Sequence, residues 1–329
     1  MVVMIMSERS STKILRKVLE DYFIIPLSII VFIGLGLYSP SYFFSPDALQ
    51  NILVYLTTLL ILSLGQGIVI MTGNIDLSII GVAGFAAYIG WYLDVILHLP
   101  LYVVLPVQLL SGVFWGLFNG VMVRKLGISS LVQTLAVMFI LYGFLLVVTG
   151  GASLGGFSTT YAWIGAETLF GVRVLILIVL PLVCILGIYL IHYSRIGLHI
   201  LLTGANPNAS RTLGIRTDRI LILAFIISGV LAAFAGFITS SRLGIITTFF
   251  GRELLMPSIA APVIGGISLT GGEGTFLGIL FGSFLLQTIS TGLVAIGISA
   301  WYIDLVNGLI ILAALTIDAI RRKRMLTQE

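Results

Sequence analysis

The chain has 329 residues, of which 59% are hydrophobic and 9% charged, with a mean hydropathy of +1.17 and a formal net charge of +4. A water-soluble domain carries about a quarter of its residues as Asp, Glu, Lys or Arg, so this composition excludes a soluble globular fold and leaves the bilayer as the solvent. The basic excess flanks apolar segments, where anionic lipid headgroups meet it, and it needs no nucleic acid partner.

Within a bilayer every backbone polar group must be bonded inside the protein, and apolar runs of about 20 residues without alternation are helices rather than barrel strands. The expectation is an all-α integral membrane protein with about ten transmembrane helices. A cytoplasmic segment, residues 1–21, carries Arg9, Lys13, Arg16 and Lys17. It leads into a first span at 22–37 that lacks a small-residue cleavage site and so reads as a retained helix. Further spans are expected at 49–71, 78–95, 102–123 and 129–149. An outer loop over 150–172, rich in Gly, Ser and Thr, suits a partly ordered crossover above the mouth of the bundle. A span at 173–191 and a cytoplasmic loop at 192–219 follow, then spans at 220–240, 254–270, 275–296 and 301–319. The tail, 320–329, is basic through Arg321, Arg322, Lys323 and Arg324.

An even number of spans places both termini on one side, and the positive-inside rule makes it the cytoplasm, together with Arg124, Lys125, Arg195, Arg211, Arg216 and Arg219. Only Arg173, Arg242 and Arg252 fall outside. The spans form one domain, 22–319, divided by the outer loop into halves of five. An odd number per half would make any internal repeat inverted, although no residue-by-residue self-similarity accompanies the division.

Several chemistries are excluded. The stretch Gly266 to Gly271 comes nearest to a phosphate-binding loop, but Gly272 stands where its lysine would be needed, so the chain does not hydrolyse ATP by itself. His98, His192 and His199 have no Cys or carboxylate at helical ligand spacing, and neither a metal nor a cofactor is expected. Cys184, alone and mid-span, reads as packing. No convergent His, Ser and Asp set suggests an intramembrane enzyme. Gly112, Gly116 and Gly120 line one face of the fourth span and Gly274, Gly278 and Gly282 one face of the ninth. Each stripe is either a tight seam within the chain or a dimer contact.

Two polar stretches interrupt the apolar pattern. In Thr72-Gly73-Asn74-Ile75-Asp76-Leu77-Ser78 one helix ends, and Asp76 or Ser78 is placed to cap the next by accepting its orphan N–H groups. Asn74 and Asp76 alternatively face an aqueous path, since intramembrane ionisable residues and broken helices mark such paths. Gln66, between Gly65 and Gly67, offers either an uncharged amide to a sugar hydroxyl or an interhelical hydrogen bond. In the cytoplasmic loop a turn over Gly204-Ala205-Asn206-Pro207 precedes a helix of under two turns from Asn208 to Leu213, stopped by Gly214. A helix so short needs a partner packed on it. Ala209 is small enough for close approach, and Arg211 can take a carboxylate in bidentate fashion.

The run Gly204, Asn206, Ala209, Arg211, Gly214, Ile215 closely resembles the ATPase-coupling loop of permease subunits in bacterial sugar ABC importers, the ribose, simple-sugar and autoinducer-2 branch. Gly73 to Ser78 is similar to that family's G-G-I-D-L-S signature, and Gly265, Gly266, Ser268 and Glu273 lie in a stretch similar to its G-G-x-S-L-x-G-G-x-G signature. The segment Ala300 to Asp304 is most similar to permeases of the autoinducer-2 and rhamnose branch. Asn74 departs from the first signature's second glycine, and Ile79-Ile80 from its Val-Gly. The resemblance implies a multi-pass permease of the inner membrane that imports a small sugar. Its implied partners are ATP-binding subunits on the cytoplasmic face, a second permease copy or paralogue, and an extracytoplasmic solute-binding protein. The competing class is an ion-coupled secondary transporter, for which Asp76 and Glu273 are the available deep carboxylates.

Overall fold

The computed structural model describes residues 23–295 and, beyond them, 297, 298, 302, 305, 306, 308, 309, 312 and 316. The N-terminal basic residues, most of the expected span at 301–319 and the basic tail lie outside the described residues. Helix α1 spans Ile24–Tyr38 and α2 Pro46–Ile70. Helix α2 starts where Ser45 accepts the Ala48 N–H at 3.2 Å and Pro46 supplies a preset φ. Helix α3, Ile79–Ile96, turns from α to π geometry at Tyr92. Helices α4 (Leu101–Lys125) and α5 (Ser130–Thr149) follow. The outer loop contains strand β1 (Leu154–Gly155), helix α6 (Thr159–Ala166), and strands β2 (Thr168–Leu169) and β3 (Val172–Arg173). Then come α7 (Leu175–Tyr193), α8 (Arg195–Ala205), α9 (Pro207–Thr212), α10 (Thr217–Leu243), β4 (Ile245–Ile246), α11 (Leu255–Ile264) and α12 (Phe276–Ala295).

Among the described residues seven helices, α2, α3, α4, α5, α7, α10 and α12, are long and apolar enough to cross a membrane. The protein is a multi-pass, predominantly helical membrane protein. Helix α1, with 15 residues, is shorter than the roughly 20 that a straight crossing needs. The expected eighth span, 254–270, is a half-helix: α11 has ten residues, and an irregular segment occupies 265–275. Pro262 sits in its last turn, and Gly265 and Gly266 follow, so hydropathy continues where helix geometry stops.

The core is organised around α10, which packs on α2, α3, α4 and α6. Helix α2 is buried on every side from Leu56 to Ile70, as suits a helix apolar all round. Both glycine stripes are seams inside the chain. A methyl group on Gly112 or Gly116 would collide with the α10 backbone at Gly229 or Phe225, and one on Gly120 would stand 2.8 Å from the Ile222 Cα. Gly278 and Gly282 likewise meet the backbone of Gly265 and Ala261 in and beside α11, while Gly274 faces the side chains of Met71 and Ile267. These faces are therefore spent on packing within one subunit rather than on a dimer contact.

The outer loop is more ordered than its composition suggests. Strand β1 pairs with β4, antiparallel, so the loop is stitched to the end of α10. Ser158 donates its N–H and hydroxyl to Asp94 at 2.8 and 2.7 Å, which fixes the start of α6 against α3. Tyr161 is fully buried, its hydroxyl 2.8 Å from Ser240 and 3.0 Å from the Gln108 amide. The β2–β3 hairpin is held by Gln50 at the start of α2, which donates to the Gly171 carbonyl at 3.0 Å and accepts from the Arg173 N–H at 3.1 Å.

Candidate functional site

Two interruptions in the helices, Met71 to Ser78 between α2 and α3 and Gly265 to Thr275 between α11 and α12, come together beside the α8–α9 corner. The sequence signals at 73–78, 204–215 and 265–274 thus occupy one region of the molecule.

In the first break Gly73 takes φ +76°, the left-handed conformation that turns the chain out of α2. Asn74 does not need it, so its departure from the family's second glycine costs no strain. Its amide instead donates to the Thr72 carbonyl at 3.1 Å and to the Thr72 hydroxyl at 3.2 Å. Asp76 is 1% exposed and accepts three hydrogen bonds: from the Ser78 N–H at 3.0 Å, the Ser78 hydroxyl at 2.6 Å and the Ser228 hydroxyl at 2.8 Å. Asp76 therefore closes a turn onto Ser78, the residue before α3, and ties that turn to α10. Ser78 does not act as a side-chain cap; its hydroxyl is a donor to Asp76 and an acceptor from the Asn119 amide at 2.8 Å.

Gln66 is fully buried, and with its amide oriented to satisfy both groups it donates to the Asp76 carbonyl at 2.9 Å and accepts the Asp76 N–H at 3.3 Å. That geometry makes it a pin across the break, closed to solute in this conformation. The Ile75 and Leu77 N–H groups donate to Ser130 at 3.3 Å and Thr134 at 2.9 Å on α5. Ser228 lies about 16 Å along α10 from its first residue, at 1.5 Å per residue, so the network is well inside the bundle.

The second break is built from backbone. Gly265 is buried against Gly278, whereas Gly266 is exposed. Ser268 is buried, its hydroxyl 2.8 Å from that of Thr270. Glu273 is exposed and is no deep carboxylate. The Gly272 N–H donates to the Met71 carbonyl at 2.9 Å, which joins the two breaks directly.

At the neighbouring corner, α8 continues through Gly204 to Ala205, so the expected turn over 204–207 contracts to Asn206. The Asn206 side chain caps α9 by accepting from the Asn208 and Ala209 N–H groups at 3.1 and 3.0 Å, and Pro207 takes the first helical position. Gly214, at φ +82°, ends the helix. Asn206 and Ala209 are exposed, Ile215 is half-buried, and Ser210 fastens α9 back to the Leu202 carbonyl at 2.7 Å. Arg211 is half-exposed and already engaged within the chain. Its guanidinium donates to Thr217 at 3.0 Å and Asn208 at 3.4 Å and lies 3.6 Å from Asp218, which Arg124 also pairs with.

Sequence reasoning missed Asn119, Ser130, Thr134 and Ser228, which complete the first break. The available signal was a lone polar residue in an apolar span, as Asn119 and Ser228 are. No group of three or more His, Cys, Asp or Glu able to hold a metal occurs among the described residues.

The profile of a family described as branched-chain amino acid transport system / permease component matches residues 48–315. The autoinducer 2 import system permease protein LsrC of Escherichia coli O9:H4 (strain HS) is 37% identical over 261 residues, covering 79% of this chain and 75% of that protein. The LsrC of Yersinia pseudotuberculosis serotype O:1b (strain IP 31758) is 34% identical over 293 residues, 88% of this chain and 81% of that one. No solved structure matches.

Proposed function

We propose, from the premise that the chain belongs to the family of branched-chain amino acid transport system permease components, that it is the membrane-spanning permease subunit of an ABC importer for a small sugar-like solute. It is a multi-pass inner-membrane protein and not an enzyme; ATP hydrolysis belongs to separate subunits. The relatives named for autoinducer 2 import make a compact, polar, sugar-derived solute of that kind the favoured cargo.

The observation that carries this reading is the α8–α9 corner: a six-residue helix, capped at both ends by the chain itself, presents Ala209 outward beside two helix breaks. In this reading paired ATPases seat on α9, with Asn206, Ala209, Gly214 and Ile215 shaping the seat, Gly204 lying behind it in the last turn of α8, and Arg211 holding it to α10. The breaks containing Asn74, Asp76, Ser78, Gly265, Gly266, Ser268 and Glu273, the first of them pinned by Gln66 of α2, border the inner end of the path. ATP binding then rocks two permease subunits, identical or paralogous, while a solute-binding protein delivers cargo to the opposite side.

In this reading about ten membrane segments lie within 22–319, the eighth of them the half-helix α11, with both termini in the cytoplasm. In support, Arg124 at the end of α4 meets Asp218 at the start of α10, so the ends assigned to the cytoplasm coincide in space. The outer loop and the end of α10 meet at the other extremity through β1 and β4. Uptake by vesicles carrying the permease, its ATPases and its binding protein tests the reading. Uptake should require ATP and survive a protonophore; uptake that needs no ATPase and collapses with the proton gradient would instead mark an ion-coupled carrier.

A further inference from the structure

Resting on that importer reading, we propose that Gly204 is a positioning residue at a three-way backbone joint, through which the α8–α9 corner moves both helix breaks as one body. Three backbone segments touch there, with the Ala205 methyl the one side chain among the nearest atoms. A methyl group on Gly204 would collide with the Met71 carbonyl oxygen, and it would stand 2.6 Å from the Gly272 nitrogen. One on Gly271 would stand 2.6 Å from the Gly73 nitrogen and 3.1 Å from the Gly204 Cα. One on Gly272 would stand 2.5 Å from the Ala205 Cα. The Gly272 N–H to Met71 carbonyl bond, 2.9 Å, closes the triangle.

The physics of such a contact differs from that of a side-chain contact. A long side chain absorbs displacement by changing rotamer, whereas backbone in van der Waals contact with backbone has no rotamer to give. Close-packed interiors transmit displacement for the same reason. Gly204 sits in the last turn of α8, two residues before the Asn206 cap of α9. A push on α9 therefore reaches Met71 and Gly272 at once. From Met71 it passes to the break that Asp76 ties to α10, and from Gly272 to the start of α12. Gly204 thus acts through the breaks and not through the ATPase, although it shares a loop with the residues that would meet the ATPase.

The test uses the permease copurified with its ATPase subunits and needs no solute. In the unmodified complex, amide hydrogen exchange in segments 70–74, 203–206 and 270–273 should change together when a nonhydrolysable ATP analogue is added. In Gly204→Ala the ATPase should remain bound in unchanged ratio and segment 203–206 should still respond, while the response at 70–74 and 270–273 falls about tenfold, the upper range for coupling lost at one intermediate residue. A full response of both breaks in Gly204→Ala overturns the joint. So does a response at 203–206 without the breaks in the unmodified complex, a result that needs no folded variant. If the unmodified permease binds no ATPase at all, it is the importer reading that fails.

Discussion

Between α2 and α3 the chain is fastened by side chains, whereas between α11 and α12 it is shaped by glycines. In the first break Asp76 and Ser78, with Gln66, Asn119, Ser130, Thr134 and Ser228 from α2, α4, α5 and α10, hold the irregular backbone between Met71 and Ser78. In the second, the Ser268 and Thr270 hydroxyls bond each other, Thr275 accepts the Gly278 N–H at 3.1 Å and Ile267 is buried in the core, while the contacts of Gly265 with Gly278, and those to Gly204 and the Met71 carbonyl, are made by backbone. A buried polar network with every member satisfied specifies one geometry and is costly to leave half made. Bare backbone contact specifies distance and little else. The first break is thus a frame whose own geometry is fixed by side chains, and the second is joined to it through backbone contact.

Breaking that frame gives the largest expected effect. Asp76→Ala removes the acceptor of three buried hydrogen bonds and leaves the Ser78 N–H and the Ser78 and Ser228 hydroxyls without the acceptor they donate to, at about 1–3 kcal/mol for each group not re-satisfied. The thermal midpoint of the purified permease should fall clearly and uptake with it; an unchanged midpoint would show that the network is not stabilising. On the other break, Gly278→Ala forces a methyl into the Gly265 carbonyl, and overpacking of this kind costs about 1–3 kcal/mol. The same thermal melt reads that loss, and separation of α11 from α12 appears as faster hydrogen exchange over 262–278. A smaller effect is expected for Ser228→Ala, which removes one of the three donors and should cost about 1–2 kcal/mol. Ser228→Thr, which keeps the hydroxyl, should recover most of it. Glu273→Gln, at an exposed position of the second break, should stay within about 0.5 kcal/mol of wild type in the same melt.

The comparison also explains what the sequence made legible. Hydropathy located the long helices to within a few residues, because α2, α4 and α10 are apolar along their whole length and few other signals compete in a bilayer. It extended the eighth span to residue 270 because Ile264, Ile267 and Leu269 are apolar, while Gly265 and Gly266 end a helix without lowering hydropathy. That Asp76 or Ser78 would bond locally at the start of α3 was legible from their place before an apolar run, and Asp76 holds the Ser78 N–H and hydroxyl rather than an N–H of the helix. Its bond to Ser228, 152 residues away, was not, since chain order says nothing about which face of α10 turns toward α3. The contacts Arg211 makes within the chain were not legible either: Thr217 and Asp218, six and seven residues on, lie beside its guanidinium. The glycine stripes left two readings open until the Gly229 and Ala261 backbones were placed against them.

The central claim is that α9 is the seat of the ATPase, and Ala209 tests it most directly, being exposed and bearing no partner-seeking group of its own. In Ala209→Glu the permease should keep the thermal midpoint of the wild type, since nothing within the chain packs over an exposed methyl. It should lose its copurifying ATPase subunits, or retain them with ATP hydrolysis no longer driving uptake. An Ala209→Glu permease that carries its ATPases in full ratio and imports at the wild-type rate would contradict the account.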